Sequence, residues 1–524
     1  MVNETTTTVM EEAKTSKSKQ KPGKSKNKSQ SSSKEKREPK QRVKKEKKEE
    51  EEEEEDDGIQ SPWVDLPDLL LERIYDHLNI KERFYASHVC RSWNRGFYLP
   101  YSWSTFVFDE YTLTRRRFNY YSGWQYILDH LRTQQCLSTV GSAIRVLIFR
   151  PMTNFYNLYE FMNMISFYVE KQEQDTDWTQ SCGIGANIHT LHYTFPCNMQ
   201  ARDESERERL YGTGGKLLAA LKRLMTNLSP SLRHLKLVDL MLDNSEALHL
   251  LDQFCCDCAT SLRTLILINA TKYVCPLLHV GCFLNLKTLM ISPQNLNDDI
   301  IYLLSETGLQ DLHIIQNRYT PLEVPAVSAK CWRECAKRSA HLSVHLRVES
   351  KRERQLLWQE AAPVRTVLFS SPQCKLSTEL ILKCVDLYGA KLEVFGHLGL
   401  PRFHQPQSFN ERHDPFLLLL CKTCPNLQTL AIRERISTAT ILLLAEFGKK
   451  IRNFYVRRNA VILRADWPKN PEWTDDFYYW LKKTSRSYEL TEKEVSHKLG
   501  YRWTMLDDKD YIRVKPIVDT NNFL

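Results

Sequence analysis

"LRTLILINATKYVCPLLHVGCFLNLKTLMI", residues 262–291, opens and closes on one pattern: apolar, two residues, apolar, one residue, apolar. Leu262, Leu265 and Leu267 make the first copy, and Leu286, Leu289 and Ile291 the second, 24 residues later. Six residues of this kind supply one short strand, and the stretch between copies brings the chain back to begin the next. One unit cannot bury its own apolar stripe, so several must stack, each leucine on its counterpart next door.

Further copies lie on both sides. The clear ones are "LRHLKL" (Leu232–Leu237), "LQDLHI" (Leu309–Ile314) and "LQTLAI" (Leu427–Ile432). The pattern also appears from Ile144 and from Ile188, and looser copies start at Val364, Leu392 and Ile451. The array resembles leucine-rich repeats, which implies an α/β fold: a curved parallel sheet with outer helices. Uneven spacing makes the solenoid, placed at 107–461, irregular. The gaps 150–187 and 194–231 hold helical stretches such as "NLYEFMNMISFYVEK" and "GGKLLAALKRLM". Residues 462–524, with Trp467, Trp473, Trp480 and Trp503, leave the pattern and are expected to cap its last apolar face.

Upstream, "LPDLLLERIYDHL" (Leu66–Leu78) reads as a helix with Pro67 at its first position. Leu66, Leu70, Ile74 and Leu78 share one face, and Leu69, Leu71 and Tyr75 widen the stripe beyond an ordinary amphipathic helix. Helical spacing continues through Phe84, His88 and Arg91, and through Tyr85, Val89 and Trp93, until Pro100 interrupts it. A unit of ~40 residues seldom holds together alone, so a partner is expected on its second face.

Leu66, Pro67, Leu70, Leu71, Ile74, Leu78, Val89, Cys90, Trp93 and Trp103, with Arg91, follow the pattern of an F-box over 63–106. That resemblance implies docking onto a Skp-type adaptor, and through it onto the cullin and RING subunits of a ubiquitin ligase. These ten residues are the candidate adaptor surface or its support. Two positions depart from the family: Arg83 replaces the usual leucine, and Ser102 replaces the one before the last tryptophan. A lost apolar contact there costs about 1.5–3 kcal/mol if fully desolvated, a loss that Arg83 can offset by snorkelling with its stem packed. "CATSLRTL" and "CPNLQTL" resemble the cysteine-bearing repeats of leucine-rich F-box proteins, with Cys258 and Cys424 ending a return helix.

The net charge of +9 is unevenly spread. Residues 1–48 carry 16 basic and 6 acidic groups, residues 49–57 are nine consecutive acids, and residues 59–524 keep a surplus of only +8. The tail at 1–58 has too few apolar side chains to offset the entropy of ordering and is expected to be disordered. Its basic run Lys36–Lys48 is a candidate nuclear localisation signal; cytoplasm and nucleus are both open. The opening residues are polar, so the 15 cysteines are read as reduced and the protein as intracellular. No apolar run is long enough to span a membrane. Outside the tail no basic, aromatic-interleaved patch is evident, so nucleic acid is not an expected partner.

No catalytic constellation is present, and no cofactor or metal is expected. "YGTGGK" (Tyr211–Lys216) lacks the first glycine of a phosphate loop and has Leu217 where Ser or Thr should hold magnesium. "CCDC" (Cys255, Cys256, Cys258) and "CKTC" (Cys421, Cys424) sit in apolar helices without a neighbouring histidine, and the repeat pattern accounts for them. The expected protein is therefore a non-catalytic substrate receptor, with an interaction scaffold outside ubiquitination as the alternative. Its unidentified protein target, marked for proteasomal degradation, is expected on the concave face, where the repeat register places Arg233, His234, Lys236, Thr264, Gln310 and His313.

Overall fold

The computed structural model describes residues 62–121, 123–174, 183–195 and 215–523; the tail at 1–58 and the 211–214 part of the glycine motif lie outside the described residues. Three helices come first, α1 (Asp68–His77), α2 (Ile80–Ala86) and α3 (Arg91–Phe97), then a 3-10 turn, Pro100–Trp103. β1 (Thr105–Phe108) follows, and then an antiparallel hairpin of β2 (Thr114–Asn119) and β3 (Gly123–Leu128). After α4 (His130–Val140) come β4 (Val146–Phe149), the long α5 (Phe155–Gln174) and β5 (Thr190–Thr194). β6 (His234–Val238), β7 (Thr264–Ile268), β8 (Thr288–Ile291), β9 (Asp311–Asn317) and β10 (Ser343–Glu349) continue the series. It runs on through β11 (Val364–Phe369), β12 (Val394–His397), β13 (Thr429–Ile432), the short β14 (Ile436–Ser437) and β15 (Asn453–Val456). Among the described residues twelve of these strands form one sheet, ordered β1, β4 to β13, β15, with every neighbouring pair parallel. Helices or short turns return the chain between strands, so this is an α/β repeat solenoid behind a helical module.

The register is the one that leucine stacking requires. Leu235, Leu265, Leu289 and Leu312 pair across β6 to β9, and all are sealed from solvent. The next row along the strands, Leu237, Leu267, Ile291 and Ile314, is sealed as well. Each such side chain contributes about 1.5–3 kcal/mol relative to exposure. The return helices close on these rows in one continuous core that includes Leu224, Phe254, Ile300, Trp332 and Cys384.

Two strands have no counterpart among the copies read from the sequence. In β10, Val344 and Leu346 pair with Leu312 and Ile314, but His341 stands where the pattern wants its first apolar residue. In β1, Phe106 and Phe108 pair with Leu147 and Phe149, so Trp103 occupies the position of Ile144. The repeat therefore begins inside the helical module. Trp103 belongs to the solenoid core, and the boundary placed after residue 106 cuts through a repeat.

Residues 462–524 do two different things. Helices Asp475–Thr484 and Tyr488–Leu499 pack on helix Thr438–Phe447, which is buried at eight of its ten positions. They cover the last repeat, as a cap should. The final helix, Asp508–Phe523, instead lies on the opposite face of the sheet. Tyr511, Val514 and Val518 pack there against Leu368, Val394, Leu398 and Ala431, and Tyr511 Oη donates to His397 O at 2.8 Å. No described helix is long and apolar enough to cross a membrane.

Candidate adaptor-binding surface

The helical module is built around α1. Leu71 and Tyr75, one turn apart, are fully buried. Gly96 of α3 meets them so closely that a Cβ there would lie 3.1 Å from the Tyr75 ring. Tyr75 Oη donates to Trp93 O at 2.8 Å, and Trp93 Nε1 reaches Trp63 O at 2.8 Å, which ties the entering chain to α3. Trp103 Nε1 donates to Phe97 O at 2.6 Å. α2 starts at a reciprocal capping box between Asn79 and Glu82. Helical spacing suggested that α2 ran on into α3; the chain breaks between Ala86 and Arg91, with Cys90 extended as the cap of α3. Pro67 sits one place earlier than expected, capping α1 in an extended conformation.

This core divides the ten candidate residues. Leu71 and Trp103 are buried, and so belong to the core beneath the surface rather than to the surface itself. Leu66, Ile74, Leu78, Cys90 and Trp93 are half-buried support, while Pro67, Leu70 and Val89 are open to solvent. The structure adds three residues absent from the candidate set. Leu69 is 70% exposed, Phe84 54% and Tyr85 60%, beside Leu70 at 48% and Val89 at 67%. Five large apolar side chains on α1, on α2 and just before α3 are thus left in water, in a module of about 40 residues that has few to spare. The sequence signal was available: apolar residues directly beside Leu71 and Arg83 must leave the core that those two enter.

Both family departures lie under this surface. Arg83 does not snorkel. It is buried, its Nε bonds Tyr75 O and Leu78 O at 2.9 Å each, and its guanidinium lies 4.9 Å from the Trp103 ring. It therefore adds a donor at the end of α1, where Tyr75 O otherwise accepts only from Leu78 N–H and Leu78 O lies past the last helical turn. Burial lowers its pKa, against the pull of Asp76. Ser102 is fully buried and donates to Gly96 O at 2.7 Å. Neither change removes an exposed apolar contact.

The substrate candidates separate too. His234, Lys236 and Thr264 lie half-buried on the sheet face away from the return helices, and Arg233 and Gln310 are exposed just before their strands. His313 is sealed, stacked on His345 at 4.2 Å, and offers no contact surface. From β11 to β15 the final helix occupies this face, leaving a cavity of about 160 Å³ between Thr429, Asn453, Tyr455 and Val518. The accessible part is upstream. There His192, paired with Lys236 across β5 and β6, is held down at about 4 by burial and by Lys236 and His234. Its folded pKa lies below the ordinary 6.5, so its contribution is whole above pH 6.5 and is lost as the pH falls toward 4. His313 and His397, kept neutral by burial, act in the same sense. Melting curves should therefore show His192→Gln gaining on the parent chain between pH 7 and pH 4.5; a constant difference would contradict this.

The cysteines follow the repeat. Cys258 ends the helix before β7, Cys424 closes the one before β13, and burial raises both thiols to about 11. Among the described residues no three His, Cys, Asp or Glu side chains gather as metal ligands.

No curated protein matches the chain. Among solved structures it is similar to one described as the crystal structure of the Rad7 and Elc1 complex in yeast, at 13% identity and a TM-score of 0.37, covering 78% of this chain and 92% of that one. A family model, the F-box domain, matches residues 63–105, the three helices and the turn that carry the exposed leucines and aromatics. Residues 63–105 of this protein are an F-box domain.

Proposed function

We propose that the protein is a non-catalytic substrate receptor of an SCF-type ubiquitin ligase, its F-box docking a Skp-type adaptor and its solenoid holding the target. The observation that carries the reading is the exposed set Leu69, Leu70, Phe84, Tyr85 and Val89 on a domain of this family. Burying them in a partner returns about 25 cal/mol for each Å² of apolar surface removed from water. The solenoid then contributes proximity, keeping a bound protein beside the ubiquitin-transfer machinery. The half-buried polar face around His192, His234, Lys236 and Thr264 is the part of the sheet open to a target.

Affinity purification of the intact chain from cells tests this. The adaptor and a cullin should co-purify, and Leu70→Glu with Val89→Glu should lower adaptor recovery by at least ~10-fold, the effect of losing central interface contacts. Both residues are exposed, so the fold should survive. Unchanged recovery would sink the adaptor surface. Proteins retained by both forms are the target candidates.

A further inference from the structure

"TRRRFNYYSGWQYIL", Thr114–Leu128, forms the β2–β3 hairpin, and its basic and aromatic residues contradict the expectation that no such patch exists outside the tail. Arg116 pairs with Tyr126 and Phe118 with Trp124, so strand alternation puts all four on one face of the ribbon. Phe118 meets Trp124 edge-on at 5.3 Å, the Arg116 guanidinium lies 4.6 Å from the Trp124 ring, and Tyr111 extends the row against Tyr126 at 4.8 Å. Arg115 and Arg117 occupy the other face, and Tyr120 and Tyr121 at the tip are 88% and 95% exposed. Among the described residues none of the three arginines forms an ion pair.

The ribbon is held firmly at its base. Buried Asn157 of α5 accepts from Leu128 N–H at 3.0 Å and donates to Tyr126 O at 2.9 Å, and Asp129 N–H bonds Leu113 O. That last bond sets the phase of the antiparallel ladder: Arg115 and Arg117 bond across it, while the backbone groups of Thr114, Arg116 and Phe118 point outward. Among the described residues no strand pairs with the outer edge of β2, which is flanked by three cations.

Tyr, Trp and Arg are the residue types that dominate protein interfaces, and a monomer seldom leaves so many rings in water. Stacking of bases needs open ring faces, yet the four rings of the row are engaged edge-on with one another or covered by Arg116, and only Tyr120 and Tyr121 at the tip leave theirs open. A strand edge suits an added peptide strand, whose backbone supplies affinity while alternate side chains reach both faces. Carboxylates on those side chains would meet Arg115 and Arg117 on one face and Arg116 on the other, as charge-assisted bonds. We propose that the β2–β3 ribbon binds an acidic, extended segment of a protein partner, added along the β2 edge. The proposal is independent of adaptor docking, because the ribbon lies outside the F-box.

The test is fluorescence anisotropy with the full-length chain and a labelled peptide of alternating glutamate and valine. Saturable binding is expected, weakened by at least ~10-fold in Arg115→Ala/Arg116→Ala/Arg117→Ala through loss of its charged bonds, with the melting temperature unchanged. The triple Arg→Glu form should instead bind a peptide of alternating lysine and valine. Equal binding by parent and alanine variant, or no binding at about 1 mM peptide, overturns the proposal. Tighter binding of oligouridine, lost in the same variant, gives the ribbon to nucleic acid and also overturns it. Binding only after Glu49–Asp57 are changed to Gln and Asn makes the chain's own acidic run the occupant and removes the partner in trans.

Discussion

Asp414→Ala is expected to destabilise the C-terminal part of the solenoid by about 3 kcal/mol, the low end of the cost of breaking a buried ion pair, because Asp466 still faces the cation. Asp414 and the Arg412 side chain are both sealed from water. Arg412 donates to Asp414 through Nε at 2.9 Å and Nη2 at 3.2 Å, and to Asp466 at 2.7 Å. Asp414 also accepts from Ser437 N–H at 3.1 Å and from the Thr440 hydroxyl, so it orders the start of helix Thr438–Phe447. Removing it leaves Arg412 with one carboxylate and takes the acceptor from Ser437 N–H and the Thr440 hydroxyl, while Ser437 Oγ still caps Thr440 N–H. Asp414→Asn keeps the shape and one acceptor oxygen but turns an amide toward the guanidinium, so about half the loss is expected. Amide hydrogen exchange reads the effect as faster opening of residues 438–447 ahead of β6 to β9. Unchanged protection there would refute it.

Arg83→Ala is the second large effect, about 3 kcal/mol within the F-box. It removes one N–H shared between Tyr75 O and Leu78 O, the contact with the Trp103 ring, and the volume of a buried side chain. Leaving buried carbonyls short of a donor costs about 1–3 kcal/mol, and a desolvated cation–ring contact adds up to about 2. Arg83→Met separates the contributions. It fills the space and relieves the burial of a charge that has no carboxylate bonded to it, so a change within about 1 kcal/mol is expected. Exchange in α1 and α2 should rise strongly in the alanine form, little in the methionine form, and not at all in the sheet. Equal effects of the two would show that the hydrogen bonds, not the packing, dominate.

How much of the candidate surface could be read depended on what each residue type reveals. Leu70 and Val89 were recognisable as F-box positions and are exposed. Leu71 carries the same motif weight and is buried, because a helix that is apolar nearly all round does not say which side is inner. Arg83 and Ser102 looked like losses from the interface. Their burial follows from hydrogen bonds to carbonyls of α1 and α3, partners that no local pattern identifies. The ribbon was missed for a related reason: in "RRRFNYYSGW" consecutive residues point to opposite faces, so its row of rings appears only once β2 and β3 are paired.

The sequence by itself determined the parallel repeat and the F-box. Both rest on short-range spacing that must recur for a strand or helix to bury one side. That is why spacing alone aligns Leu235, Leu265, Leu289 and Leu312, which pair in that register in the sheet. Only the tertiary structure decided that Trp103 opens the first repeat, that His341 stands at a repeat position, and that Tyr511, Val514 and Val518 carry the last helix onto the open face of the sheet. Those outcomes depend on which surfaces meet across long stretches of chain. Tyr511 lies 114 residues from the carbonyl that it bonds, and periodicity within a dozen residues holds no record of such a contact.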